Sequence, residues 1–131
     1  MNLTKEQLKS QFVRALRLGW LPFFVEAVKT HTTGFFDEAD LMAIASRETN
    51  LDPKWLTKPG DHGNGFGLMQ ADRRSFKEFT QGDGWKDART GIMFGARVLM
   101  MKWTDTMNCI GKSVGVRSSK GGYYGFVGKK V

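Results

Sequence analysis

Apolar residues recur at helical spacing through the first half of the chain and again after its middle. Leu8, Phe12, Ala15, Leu16 and Gly19 follow Thr4 and Gln7, a pair that resembles a capping box, and the spacing predicts a helix from about Lys5 to Leu18. Pro22 suits the first turn of a second helix through Phe23, Phe24, Ala27 and Val28, which fades at the run from Thr30 to Gly34. A third helix is expected to start at Asp37 or Asp40 and to end near Thr49 and Asn50. Pro53, Pro59 and several glycines then make a connector into Gly65–Gln70, at best a short strand or turn. Short helical turns are expected from Arg73 to Phe79. A longer helix is predicted from about Trp85 to Met107, with Ile92, Ala96, Leu99, Met100 and Trp103 inward. The expectation is a mainly α chain with a short irregular or β segment, forming one domain over residues 1–131.

The third helix carries the chemistry. Leu41, Ile44, Ala45 and Glu48 stand at i, i+3, i+4 and i+7 and share a face, apolar until its last member. An acid at the inner end of an apolar stripe is a candidate proton donor, because desolvation disfavours its charged form. The partial negative charge of a helix C-terminus acts in the same direction. Asp61, in a glycine-rich loop, and Asp72, just beyond it, complete a set of three acids suited to acid/base chemistry.

Charge and composition narrow the partners without choosing one. A net charge of +7 favours anionic partners such as nucleic acid, anionic lipid or an anionic cell wall. The basic residues are scattered rather than set on one groove-reading helix, so nucleic acid is not expected. The tail after Cys109 gathers Lys112, Arg117, Lys120, Lys129 and Lys130 among serines and glycines and could carry binding residues. The N-terminus lacks the basic start, apolar run and cleavage site of a secretory signal, and no apolar stretch approaches the roughly 20 residues that cross a bilayer. The chain is therefore expected to be made as a soluble protein, without membrane insertion. A single cysteine rules out an internal disulfide, and Cys109 reads as a small buried hydrophobe. Met93, Met100, Met101 and Met107 read as packing residues.

Rival readings of the loop fail on residue type. Gly60–Gly67 lacks the lysine of a phosphate-binding loop and has no helix opening after it. Asp61 and Asp72 stand at positions 1 and 12 of a calcium loop. Glycines at positions 3 and 5, and Phe66 where that loop needs glycine, argue against it. His31, His62 and Cys109 have no zinc-ligand spacing. No metal and no organic cofactor is expected.

Ala45-Ser46-Arg47-Glu48-Thr49 and the run from Gly60 through Gly67-Leu68-Met69-Gln70 to Ser75 closely resemble goose-type lysozyme, within the wider superfamily of lysozymes and lytic transglycosylases. The resemblance is clear over about residues 41–103 and implies a lysozyme-like fold with a helical body beside an active-site cleft. It also implies a peptidoglycan hydrolase that cleaves the β-1,4 bond between N-acetylmuramic acid and N-acetylglucosamine. Carried onto this chain, Glu48 falls on the catalytic acid, and Asp61 and Asp72 on the two carboxylates that hold the attacking water. Gln70 falls beside the cleft, and Phe66, Met69, Phe76, Tyr123 and Tyr124 are the remaining expected sugar contacts. Phe76 stands where goose-type members commonly have histidine. Gly121–Gly128 differs from the family's Gly-Gly-x-x-Ala-Tyr-Asn-Ala-Gly segment, with Phe126 and Val127 replacing tyrosine and asparagine if the two correspond. The implied partners are peptidoglycan and N-acetylglucosamine oligosaccharides, with a proteinaceous lysozyme inhibitor as a further candidate. The chain is expected to act as a monomer on the cell wall, outside the cytoplasm or in the periplasm, after release by a route other than a signal peptide. Two alternatives stand beside this reading: a lytic transglycosylase that forms 1,6-anhydro products with one glutamate, and a non-catalytic wall-binding module.

Overall fold

The computed structural model describes residues 3–113. It is mainly helical, with a small antiparallel sheet. In chain order come α1 (Lys5–Arg17), α2 (Leu21–His31), α3 (Glu38–Thr49), β1 (Gly65–Phe66), β2 (Ala71–Asp72), α4 (Lys77–Gln81) and α5 (Ala88–Ser113). Residues up to Ala96 form one compact unit, and α5 continues from Arg97 into a second.

The helix boundaries follow local chemistry. Thr4 and Gln7 close a reciprocal capping box on α1. Asp37 and Asp40 do the same on α3, so the earlier of the two expected starts is the cap. Helix α3 ends at Asn50, whose φ of +55° is left-handed, and Leu51 follows with φ +51°. Leucine has no intrinsic ease there, and two features hold it. Its side chain is buried, and Arg14 Nε donates to its carbonyl at 3.0 Å. Arg14 Nη2 also donates to the Asn50 carbonyl, while Gln11 Nε2 reaches Asn50 Oδ1 at 3.3 Å. The long helix begins at Ala88 rather than near Trp85, because Trp85 lies in a 3-10 turn and the extended Asp87 follows it. The Asp87 carboxylate accepts from the hydroxyl and amide of Thr90, and these bonds hold it below the usual carboxylate range.

Within the first unit the core centres on Phe24, Leu41, Leu68 and Ile92, all wholly buried. Helix α1 meets it in an unexpected way. The residues that mark its period, Leu8, Phe12 and Leu16, are 44–48% exposed, whereas Gln11 and Ala15 are buried. Polar recognition decides this orientation. Gln11 accepts from the Ser46 hydroxyl at 2.5 Å and, with Arg14, grips the end of α3, which turns the apolar stripe outward.

Cover thins along α5. Ile92 and Ala96 are fully buried, but in the second unit Leu99 and Met100 are only half-buried and Trp103 is 36% exposed, so Trp103 does not point inward as expected. Cys109 is exposed rather than a buried hydrophobe, since two residues along the helix put it on the opposite side from the buried Met107. Among the described residues, no helix is long and apolar enough to cross a membrane.

Thr49 joins the end of α3 to the loop that follows. Its side chain is 2% exposed, and its hydroxyl stands 2.9 Å from the Leu68 carbonyl and 3.0 Å from that of Ala45. Replacing Thr49 by the near-isosteric valine strips a donor from a buried carbonyl. Thr49→Val is expected to lower stability by about 1–3 kcal/mol in urea or guanidinium titrations, with the fold retained.

Candidate functional site

Glycines build the loop between α3 and α4. Gly60 and Gly65 exchange backbone hydrogen bonds at 2.8 and 3.0 Å, and Gly65 pairs in turn with Asp72 across β1 and β2. Asp61, beside Gly60, and Asp72, opposite Gly65, are thereby carried toward each other by three short antiparallel stretches of backbone. Asp61 and His62 hold φ of +49° and +54°, a left-handed pair that precedes Gly63 at +88°. Arg73 fastens the turn, with its amide bonded to the Asn64 carbonyl at 2.9 Å and its Nε to Asn64 Oδ1 at 2.8 Å.

Arg74 joins the two aspartates. Its Nε and Nη2 donate to Asp72 Oδ1 and Oδ2 at 2.9 and 2.7 Å, and its own amide donates to Asp72 Oδ1 at 2.8 Å. The same Nη2 lies 3.9 Å from Asp61 Oδ2. The hydrogen bond to Asp72, and then the charges of Asp72 and Asp61, raise the proton affinity of the Arg74 guanidinium above its ordinary value. The Asp72 side chain is 36% exposed, against 61% for Asp61, so the pair faces solvent.

Glu48 is exposed, contrary to the burial that its apolar stripe suggested. The buried positions of α3 are Leu41, Met42, Ala45, Ser46 and Thr49. That stripe is rotated toward Met42 and Ser46, because Ser46 bonds Gln11 on α1. Glu48 is left on its edge, and Ile44 is only half-buried. The acid borders the loop in sequence through Thr49, the residue that bonds Leu68.

Gln70 folds back into the loop. With φ +51° it places its side chain over Gly60 and Gly65, and its Nε2 donates to the Gly67 carbonyl at 2.9 Å. A Cβ on Gly65 would stand 2.2 Å from Gln70 Oε1, and one on Gly60 2.7 Å from the same atom. These glycines make room for the Gln70 side chain. Gly67, with φ +78°, passes so close to the Trp85 carbonyl that a Cβ would lie 2.9 Å from it.

The other expected sugar contacts sit in protein packing. Phe66 is half-buried edge-to-face on Trp85 at 5.1 Å, and Phe76 edge-to-face on Phe94 at 5.2 Å. Met69 lies against Gly95, where a Cβ would come within 2.5 Å of Met69 Cγ. Tyr123 and Tyr124 lie outside the described residues. No group of histidine, cysteine, aspartate or glutamate side chains able to hold a metal ion occurs among the described residues.

Three residues with clear roles here escape a reading of the sequence. Arg74 follows Asp72 by two, a spacing that a tight turn brings into contact. Thr49 is the hydroxyl beside the candidate acid. Trp55 packs against the Gly60 turn, where a Cβ would meet Trp55 Cζ3 at 3.0 Å, and Lys54 and Lys58 lie 5.1 and 5.5 Å from its ring centre. Only Arg74 left a visible trace, an arginine pair beside an acid.

With this geometry in hand, a comparison with known proteins bears on it. Over 64 residues the chain is 42% identical to a lysozyme g from Struthio camelus. The chain is similar to a goose-type lysozyme. The match covers 49% of this chain and 29% of the ostrich protein, so it spans under a third of that relative's length. No family model matches the chain, and no solved structure does.

The glycine cradle gives a direct test. Gly65→Ala is expected to drive the Gln70 side chain out of the loop and to destabilise the protein by about 1–3 kcal/mol. Adding Gln70→Ala removes the collision, so the double variant should be more stable than the sum of the two single effects. Thermal or denaturant unfolding of the four proteins measures this, and strict additivity would disprove the packing assigned to Gln70.

Proposed function

We propose that this chain is a goose-type-like lysozyme, hydrolysing the β-1,4 bond between N-acetylmuramic acid and N-acetylglucosamine in peptidoglycan. The single observation that carries the reading is the 42% identity over 64 residues to a lysozyme g. The geometry that supports it is the pair of carboxylates, Asp61 and Asp72, collected on one arginine in the loop next to Thr49.

Glycoside hydrolysis by inversion needs a protonated acid at the leaving oxygen and a carboxylate-held water on the opposite face of the sugar. Glu48 is assigned the first role, Asp61 and Asp72 the second. The exposure of Glu48 in the free chain shifts part of the work onto the substrate. A glycan laid over the end of α3 strips water from the carboxyl, which favours the neutral form able to give up a proton. The aspartates share one arginine, an arrangement suited to holding a water molecule between them. Two carboxyl environments thus separate on substrate binding, and acid and base roles follow. Peptidoglycan is also an apt polyanion for a chain of net charge +7.

The exposure of Glu48 favours one second reading, a wall-binding module without turnover. Release of reducing ends from purified peptidoglycan separates the two. Wild type is expected to release them and Glu48→Gln to do so about 10²–10⁴-fold more slowly, the usual range for a positioned proton donor. Equal rates would remove Glu48 from the reaction. Pull-down onto insoluble wall with no release from either protein would leave the binding module. Mass spectrometry of the products should find hydrolysed ends, and 1,6-anhydro ends would point to a transglycosylase instead. Wall clearing should also weaken as salt rises from low to physiological ionic strength, because screening shortens the reach of the positive charge to about 8 Å.

A further inference from the structure

We propose that Arg74 is a positioning residue of the site, holding Asp72 still and drawing Asp61 toward it so that the two carboxylates present one water-binding edge. The proposal rests on the hydrolytic reading above and adds to it a residue that the reading does not use.

Asp72 has about four acceptor positions, and Arg74 fills at least three of them, one from its backbone and two from its fork. Asp61 receives only the longer 3.9 Å contact from the same nitrogen. The clamp is therefore asymmetric. Asp72 is the fixed member, and Asp61 keeps acceptor positions open to a water molecule. Arginine suits the task because its planar fork fixes the direction of a carboxylate as well as its distance, which a lysine ammonium does not.

Magnitude argues that this contact is not there for stability. The Arg74 side chain is 65% exposed, with Asp61 at 61% and Asp72 at 36%, and ion pairs this open to water contribute little to folding. The same pairing still governs where the carboxylates point. At Asp72, which takes three hydrogen bonds from Arg74, it also favours the ionised form. Removing the cation makes a carboxylate easier to protonate, so the sign is fixed: the site should fail at a higher pH without Arg74. The raised proton affinity of the Arg74 guanidinium agrees with a tight pairing to Asp72. The other ionisable groups on the elements around the pair are His62 on the Asp61 turn, Arg73, which is bonded to Asn64, and Lys77 and Glu78 on α4.

The experiment compares wild type, Arg74→Lys and Arg74→Gln. Three measurements are made on each: thermal unfolding, the pH profile of kcat and KM on soluble peptidoglycan fragments, and carbon NMR titration of the Asp72 carboxyl. Melting temperatures are expected to stay close together. The Arg74→Gln protein should lose about 10²-fold in kcat with KM nearly unchanged, the scale of effect that a misplaced catalytic group produces. Its acid limb should move to higher pH, and Asp72 should titrate at higher pH than in wild type. Arg74→Lys, which keeps the charge and loses the fork, should restore the pH behaviour more fully than kcat. An active Arg74→Gln protein with an unmoved acid limb and an unmoved Asp72 titration would overturn the proposal and leave the hydrolase reading standing. A wild type without turnover would remove the hydrolase reading. In that case an unmoved Asp72 titration would remove the clamp as well, and a moved one would retain it.

Discussion

The hydroxyl of Thr49 and the carbonyl of Leu68 form the contact on which the candidate site depends. One end belongs to the helix that carries Glu48. The other belongs to the loop that carries Asp61 and Asp72. Both partners are buried, so water cannot replace the bond if it breaks, and a donor missing there costs more than one missing at the surface. Leu68 adds a wholly buried side chain to the same junction, so apolar packing and a directed polar bond fix one point of the loop together. From that point the backbone pairs Gly60 with Gly65 and Gly65 with Asp72, which sets the acids.

The loop is filled from within. Gln70 occupies the space above Gly60 and Gly65, Gly67 runs beneath the Trp85 carbonyl, and Met69 rests on Gly95. Each glycine is small because a particular neighbour is close. That differs from the usual expectation for a glycine-rich loop beside a catalytic acid, where the open backbone is left for a ligand. Here the residues that look most available in the sequence are internal supports, and the groups that reach solvent are charged: Glu48, Asp61, Asp72 and Arg74.

How far the sequence could be read follows from the kind of force acting at each place. Caps were legible, because Thr4 with Gln7 and Asp37 before Asp40 satisfy local amides through local side chains. The first strand was legible only as a short strand or turn and its partner at Ala71–Asp72 not at all, since two residues each carry almost no alternation. Helix orientation was not legible where a long-range polar bond overruled the apolar period. Gln11, bonded to Ser46 and Asn50 on α3, rotates α1 so that Leu8, Phe12 and Leu16 face outward. Ser46 does the same to α3 and leaves Glu48 on the edge of the buried stripe. Both departures trace to one cluster, in which a glutamine and a serine pair across helices. No hydrophobic count weighs such a pair.

On the proposed reading, Glu48 is an exposed general acid, and such an acid needs its low-polarity surroundings from somewhere. In a closed cleft the protein supplies them before the substrate arrives. In this chain, the described residues leave Glu48 exposed and put their hydrogen-bonded order around Asp61 and Asp72 instead. Asp72 is held by three donors from a single residue, and Asp61 is fixed by a left-handed turn that Asn64 and Arg73 fasten. Under the proposed hydrolytic reading, such a division would place preorganisation on the side of the attacking water and leave desolvation of the acid to the sugar chain.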